Sequence, residues 1–121
     1  LIPITTDVTN EEWIKFAHPV WLDIREGDTL NVREARENDD EKHLAALQLE
    51  TIKRCIRLWS NLNEICFDPF AGIASVGYVA LQLGRKFIGC ELKPAYFRCG
   101  IRNLKYAEKE QEAPLFIQVM E

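Results

Sequence analysis

Phe67-Asp68-Pro69-Phe70-Ala71-Gly72-Ile73-Ala74-Ser75, followed at a distance by Gly89-Cys90-Glu91, is the stretch on which the fold turns. Glu64 to Asp68 is a short apolar run between turn signals, which predicts a buried strand. Pro69 to Ser75 is a turn of small residues. Helical spacing resumes from Ser75 to Leu83 through Val76, Val79, Ala80 and Leu83, and Gly84 is placed to supply a left-handed stop. Phe87 to Cys90 predicts a second short apolar strand ending at Glu91. Pro94 suits the first turn of a helix running to about Glu110.

A strand that ends in a tight turn and opens a helix places free backbone amides beside a cleft, and glycine lets the backbone approach a ligand closely. An acid at the end of the next strand, about 20 residues on, can accept hydrogen bonds from a ribose diol. Glu91 stands in that relation to Gly72.

Working outward, Leu44, Leu47, Ile52, Ile56 and Trp59 recur at spacings of one helical face, with Glu50, Lys53, Arg54 and Arg57 on the wet side. That helix should end near Asn61. Residues 1–41 read as a polar lead-in. There, Asn10 is expected to cap a short helix carrying Trp13, Ile14 and Phe16. Pro19 to Ile24 alternates like a strand with Val20, Leu22 and Ile24 on one face, and Arg25 to Lys42 reads as a mobile loop or exposed helix. The tail, Leu115 to Met120, predicts an edge strand. The order helix, strand, glycine turn, helix, strand, acid, helix over residues 42–121 is half of a parallel nucleotide-binding sheet: an α/β, Rossmann-like fold.

The 121 residues, 47% hydrophobic and 28% charged, suit one small soluble domain. No apolar run approaches the roughly 20 residues that cross a bilayer, and the first residues lack a signal-peptide pattern, so a cytoplasmic location without membrane partners is expected. Cys55, Cys66, Cys90 and Cys99 show no Cys-x-x-Cys spacing, which excludes the usual metal frameworks and predicts reduced core residues. A net charge of −4 argues against a stand-alone nucleic-acid binder.

The turn reads Gly72-Ile73-Ala74-Ser75-Val76-Gly77, without the middle glycine that admits a dinucleotide pyrophosphate. This counts against a nicotinamide-dependent fold. Phe70 and Asp68 suit a cationic sulfonium better than an anion, through attraction to the ring face and charge balance.

Asp68-Pro69-Phe70-Ala71-Gly72, with Gly84-Arg85-Lys86-Phe87-Ile88-Gly89-Cys90-Glu91-Leu92 and Pro94-Ala95-Tyr96, resembles the carboxyl-terminal half of the N4-cytosine and N6-adenine DNA methyltransferases. Pro19-Val20-Trp21 is similar to the strand leading from their target-recognition region. Lys42-His43-Leu44-Ala45-Ala46-Leu47-Gln48 occupies the place of their His-Pro-Thr-Gln-Lys-Pro motif. The resemblance implies S-adenosylmethionine as cofactor, with Asp68, Pro69, Phe70, Ala71 and Gly72 lining its pocket. It further implies Ser75 at the methionine end, Glu91 on the ribose with Leu92 beside it among the cofactor-binding residues, Lys93 and Tyr96 at the adenosine rim, and His43 at the lip.

Three departures stand out: Ala74 replaces the usual second glycine, Val76 a frequent threonine, and the lysine and threonine of the His-Pro-Thr-Gln-Lys-Pro motif are gone. Weaker cofactor binding is the expectation. The family's catalytic Asp/Asn/Ser-Pro-Pro-aromatic motif, which holds the flipped base, has no counterpart, since no Pro-Pro pair occurs. No catalytic residue is therefore expected in this chain. The chain reads as the cofactor-binding part of an enzyme acting on double-stranded DNA, with the missing motif upstream of Leu1. A cofactor-binding or assembly module working with a separate partner chain is the alternative. Two or three strands would leave apolar sheet surface uncovered, so a homo-oligomer is expected.

His43 reads equally as an exposed capping histidine or a pocket contact. Trp13, Trp21 and Trp59 fit core or interface packing better than base stacking. Arg25, Arg33, Arg36 and Lys42 are interleaved with acids and fit a solvated face better than a phosphate track.

Overall fold

The computed structural model describes residues 7–35 and 45–112. His43 and the expected tail strand at 115–120 lie outside them. The described elements are helix α1 (Asn10–Phe16), a 3-10 turn (Arg33–Ala35), α2 (Leu49–Trp59), β1 (Ile65–Asp68), α3 (Ser75–Gln82), β2 (Lys86–Gly89) and α4 (Pro94–Glu112).

From α2 onward the elements follow the predicted order. The two strands are parallel, with Cys66 opposite Phe87 and Phe67 opposite Ile88. One face of this sheet meets the helices. Gly77 of α3 lies over it so closely that an added Cβ would stand 2.5 Å from the Phe87 ring and 2.7 Å from Leu104 of α4. Ile52 and Ile56 of α2 pack with Tyr78, Val79 and Ala80 of α3 and Ala107 of α4 in the main core. Gly84 ends α3 as expected, at φ +72°. Its amide donates to Leu81 and that of Arg85 to Ala80, which closes the helix through both bonds of a Schellman cap.

The other face of the sheet is bare. Phe67 and Ile88, paired across the strands, are 62% and 52% exposed, and Ile65 is exposed beside them. The strands are therefore buried on one side only, and the apolar sheet surface expected to stand uncovered is present: among the described residues helices cover only one face.

The lead-in departs further from expectation. Thr9, not Asn10, caps α1: its hydroxyl accepts the Glu12 amide at 3.2 Å while the Glu12 carboxylate accepts the Thr9 amide at 3.0 Å. This reciprocal pair satisfies two end amides where a lone asparagine would satisfy one. Residues 19–24 form no strand: among the described residues no strand lies there to pair with, and Val20 and Leu22 face solvent. Trp21 instead donates its indole N–H to the Phe16 carbonyl at 3.1 Å. Nor are residues 25–35 an unanchored loop. Ala35 is buried with Ile73 and Cys99, and Leu30 and Val32 pack against them.

Part of the expected wet side of α2 is covered as well, while Lys53 stays exposed as expected. Arg54 is 1% exposed, gripping Asp23 with both terminal nitrogens at 3.0 and 2.8 Å and Glu50 with Nε at 2.9 Å. Its guanidinium lies 5.2 Å from the ring centres of Phe16 and Trp21. Arg57 pairs with Glu12, and Arg85 with Asp7. The acids of the lead-in thus neutralise arginines that would otherwise keep this face in water. Trp59, expected on the apolar face, projects past the core at 82% exposure. Of the cysteines, all free, only Cys99 is buried; Cys66 is half-buried, and Cys55 and Cys90 are exposed, contrary to the core reading.

Candidate functional site

β1 delivers the chain to the turn at Asp68, whose Oδ1 accepts the Phe70 amide at 2.9 Å. A short acid caps its own turn in this way. The Ala71 amide then donates to the Cys90 carbonyl at 2.8 Å, tying the turn to the end of β2. Gly72 takes φ +55° and Ala74, the residue before α3, takes φ +64°. A left-handed alanine costs about 1–2 kcal/mol, which explains why glycine suits this position better.

Glu91 lies directly against the turn. Its Oε2 accepts the Gly72 amide at 2.8 Å, across 19 residues of sequence, and its Oε1 accepts the Lys93 amide at 2.8 Å. Both oxygens are therefore fixed in place. Each carboxylate oxygen can accept two bonds, so capacity remains for the two hydroxyls of a diol.

Hollows open on either side of Ala71 and Gly72. One, of about 280 Å³, is bordered by Asp68, Phe70, Ser75, Val76 and the stretch Ala45–Leu47. The other, of about 320 Å³, lies between β2 and α4 and is bordered by Phe87, Gly89, Glu91, Phe97, Ile101 and Leu104. Asp68 and Glu91 place negative charge near the turn. The side chains bordering the hollows are otherwise largely apolar, which favours a ligand with a flat apolar body and a positive centre.

The expected site residues divide accordingly. Asp68, Phe70, Ala71, Gly72, Ser75 and Glu91 come together around the turn, Ser75 buried at the start of α3 and Phe70 open to solvent. Pro69 sits in the turn, exposed. Leu92 is fully exposed and borders neither hollow. The Lys93 ammonium lies 4.5 Å from the centre of the Tyr96 ring, and Tyr96 packs against the cluster of Ala35, Ile73 and Cys99. His43 lies outside the described residues, while Ala45, Ala46 and Leu47 from the same stretch do reach the first hollow.

Sequence reasoning missed the α4 wall. Phe97, Gly100, Ile101 and Leu104 recur at three- and four-residue spacing and could have been read as one helical face turned to the site. It also missed Asp28, whose carbonyl and carboxylate accept the Leu49 and Glu50 amides at 2.8 and 3.1 Å and so cap α2 from a distant loop. No local pattern marks such a cap. Among the described residues there is no metal-binding cluster and no helix long and apolar enough to cross a membrane.

A family model described as DNA methylase matches residues 6–102. The DNA adenine methyltransferase YhdJ of Escherichia coli (strain K12) is 42% identical over 67 residues, 55% of this chain and 23% of that protein. The type II methyltransferase M1.MboII of Moraxella bovis is 39% identical over 54 residues, 45% of this chain and 21% of its own length. The chain thus spans under a third of either relative. In structure it is similar to TTHA0409 of Thermus thermophilus, solved as a putative DNA modification methylase complexed with S-adenosyl-L-methionine. The TM-score is 0.64 at 22% identity, over 85% of this chain and 35% of that one.

Proposed function

The chain belongs to the N6/N4 DNA methylase family, and from that premise we propose that its turn and Glu91 form the cofactor cleft of a DNA amino-methyltransferase using S-adenosylmethionine. Glu91 accepts the ribose hydroxyls, Asp68 and Phe70 provide charge balance and a ring face for the sulfonium, and Ser75 meets the methionine end. The bound cofactor supplies an electrophilic methyl group. The whole protein would flip an adenine or cytosine out of duplex DNA and align its exocyclic nitrogen with that methyl, catalysis resting mainly on positioning. The sequence contains no Pro-Pro-aromatic motif, so the residues of this cleft bind the cofactor and perform no chemistry on the base. A cytoplasmic location accords with a DNA substrate and free cysteines.

The observation that carries this reading is the 2.8 Å bond from the Gly72 amide to Glu91, which sets the acid directly against the turn that both hollows flank. Ultraviolet cross-linking of the chain to methyl-tritiated S-adenosylmethionine tests it. Label should enter the tryptic peptide spanning residues 58–85, which contains Phe70, and excess S-adenosylhomocysteine should displace it. Label confined to other peptides would reject the assignment.

The bare sheet face supports a second reading. We infer that copies of the chain associate through Ile65, Phe67 and Ile88, since covering these side chains removes apolar surface from water. A separate partner chain that completes the enzyme in trans is the competing occupant.

A further inference from the structure

Asn103, on α4, donates from Nδ2 to the Ile73 carbonyl at 2.8 Å. That carbonyl and the Ala74 amide belong to one planar peptide unit, and the Ala74 amide donates to the Ala71 carbonyl at 2.7 Å. The unit is therefore held at both ends. Its orientation matters because Ala74 stands at φ +64°, where an alanine is strained. Rotating the peptide about its long axis would carry Ala74 toward negative φ and relieve the strain. The rotation would break both bonds and reshape the turn that faces Glu91.

α4 is able to hold the turn because Gly100 lets it come close. An added Cβ there would stand 3.3 Å from the Ala74 side chain and 3.5 Å from the Gly72 carbonyl oxygen. Asn103 follows Gly100 by three residues and so shares its helix face. Cys99, one residue before Gly100, is buried with Ile73 and keeps helix and turn in register.

We propose that Asn103 is a positioning residue for the cofactor turn: its Nδ2–H···O bond to Ile73 keeps the Ile73–Ala74 peptide from flipping and Ala74 in the left-handed conformation that shapes the cleft. This rests on the cofactor reading above. It assigns a function to a residue that borders neither hollow, and it explains how the turn keeps its form with alanine at its second glycine position.

The test combines calorimetry with S-adenosylhomocysteine and amide exchange at Ala74, in the full chain and three variants. Asn103→Leu removes the donor at similar volume, Asn103→Asp removes it with the shape kept, and Asn103→Gln retains a donor. Leu and Asp should each weaken binding about tenfold and speed Ala74 exchange about tenfold, with exchange in α2 unchanged. Gln should recover most of both. Affinity within twofold of the parent chain for Asn103→Asp, or for a folded Asn103→Leu, overturns the proposal. If the parent chain gives no heat at all, the cofactor reading fails on its own account. Exchange at Ala74 then decides the pinning: unchanged rates in Asn103→Asp reject it.

Discussion

The Gly72 amide and the Glu91 carboxylate meet at 2.8 Å, so the turn after one strand is closed by the acid that ends the next. Glu91 also holds the Lys93 amide, and thus stabilises the cleft it would serve. Glu91→Ala leaves two half-buried amides without an acceptor and should lower stability by about 1–2 kcal/mol in urea unfolding. Glu91→Gln, with one carbonyl oxygen, should restore about half. Equal stability of all three proteins would show that the contact contributes nothing to folding.

Arg54 couples the lead-in to the body of the domain. Arg54→Met should cost about 2–4 kcal/mol, since Asp23 and Glu50 lose their shared partner and two aromatic rings lose the guanidinium beside them. Limited proteolysis should then cut within residues 17–31 before it reaches α3. Resistance equal to that of the parent would mean the lead-in is held by other contacts.

The same arginines set a response to acid. Hydrogen bonds from Arg57 hold the Glu12 carboxyl down to about 2 from an ordinary 4.5. Asp23, bonded by Arg54 and Lys15, and Asp7, bonded by Arg85, are held below the usual aspartate value. Folding lowers these values, so the stabilisation is complete above about pH 4.5 and is lost as pH falls toward 2. The melting temperature should be flat near neutrality and fall steeply below pH 4.5. In a chain carrying Arg57→Gln the drop should be shallower; an identical acid profile would contradict the assignment.

Gly77 has no room for a side chain. Gly77→Ala should destabilise by about 1–3 kcal/mol by driving a methyl into Phe87 and Leu104, although alanine is the better helix former. A gain in thermal stability would mean that β2 and α4 yield readily.

The open sheet face gives a prediction about assembly. In sedimentation velocity the chain should run larger than its monomer mass, and Phe67→Asp with Ile88→Lys should return it to a monomer without loss of helix content. A parent chain that is monomeric at all concentrations would leave that face for a separate partner.

What the sequence disclosed follows from the range of the interactions involved. From Asp68 to Glu91 the signals are local: two short apolar runs around a turn of small residues, a glycine where the backbone must approach closely, a helix stop at Gly84. Each was legible, and the acid fell in place because a short crossover helix fixes the spacing of parallel strands. The lead-in was misread because its structure depends on distant partners. Arg54 looks like a solvent-facing residue until Asp23, 31 residues away, is placed over it. Asp28 capping α2 and Asn103 bracing Ile73 are equally remote. The strand expected at 19–24 had the right alternation but no partner strand among the described residues.

Titration calorimetry of the purified chain with S-adenosylhomocysteine tests most directly whether the turn at Ala71–Gly72, closed by Glu91, takes a sulfonium or thioether nucleoside in the hollows beside it. The parent chain should give a saturable one-site heat that disappears in Glu91→Ala. No heat in the parent chain, or undiminished binding in the variant, would contradict this reading.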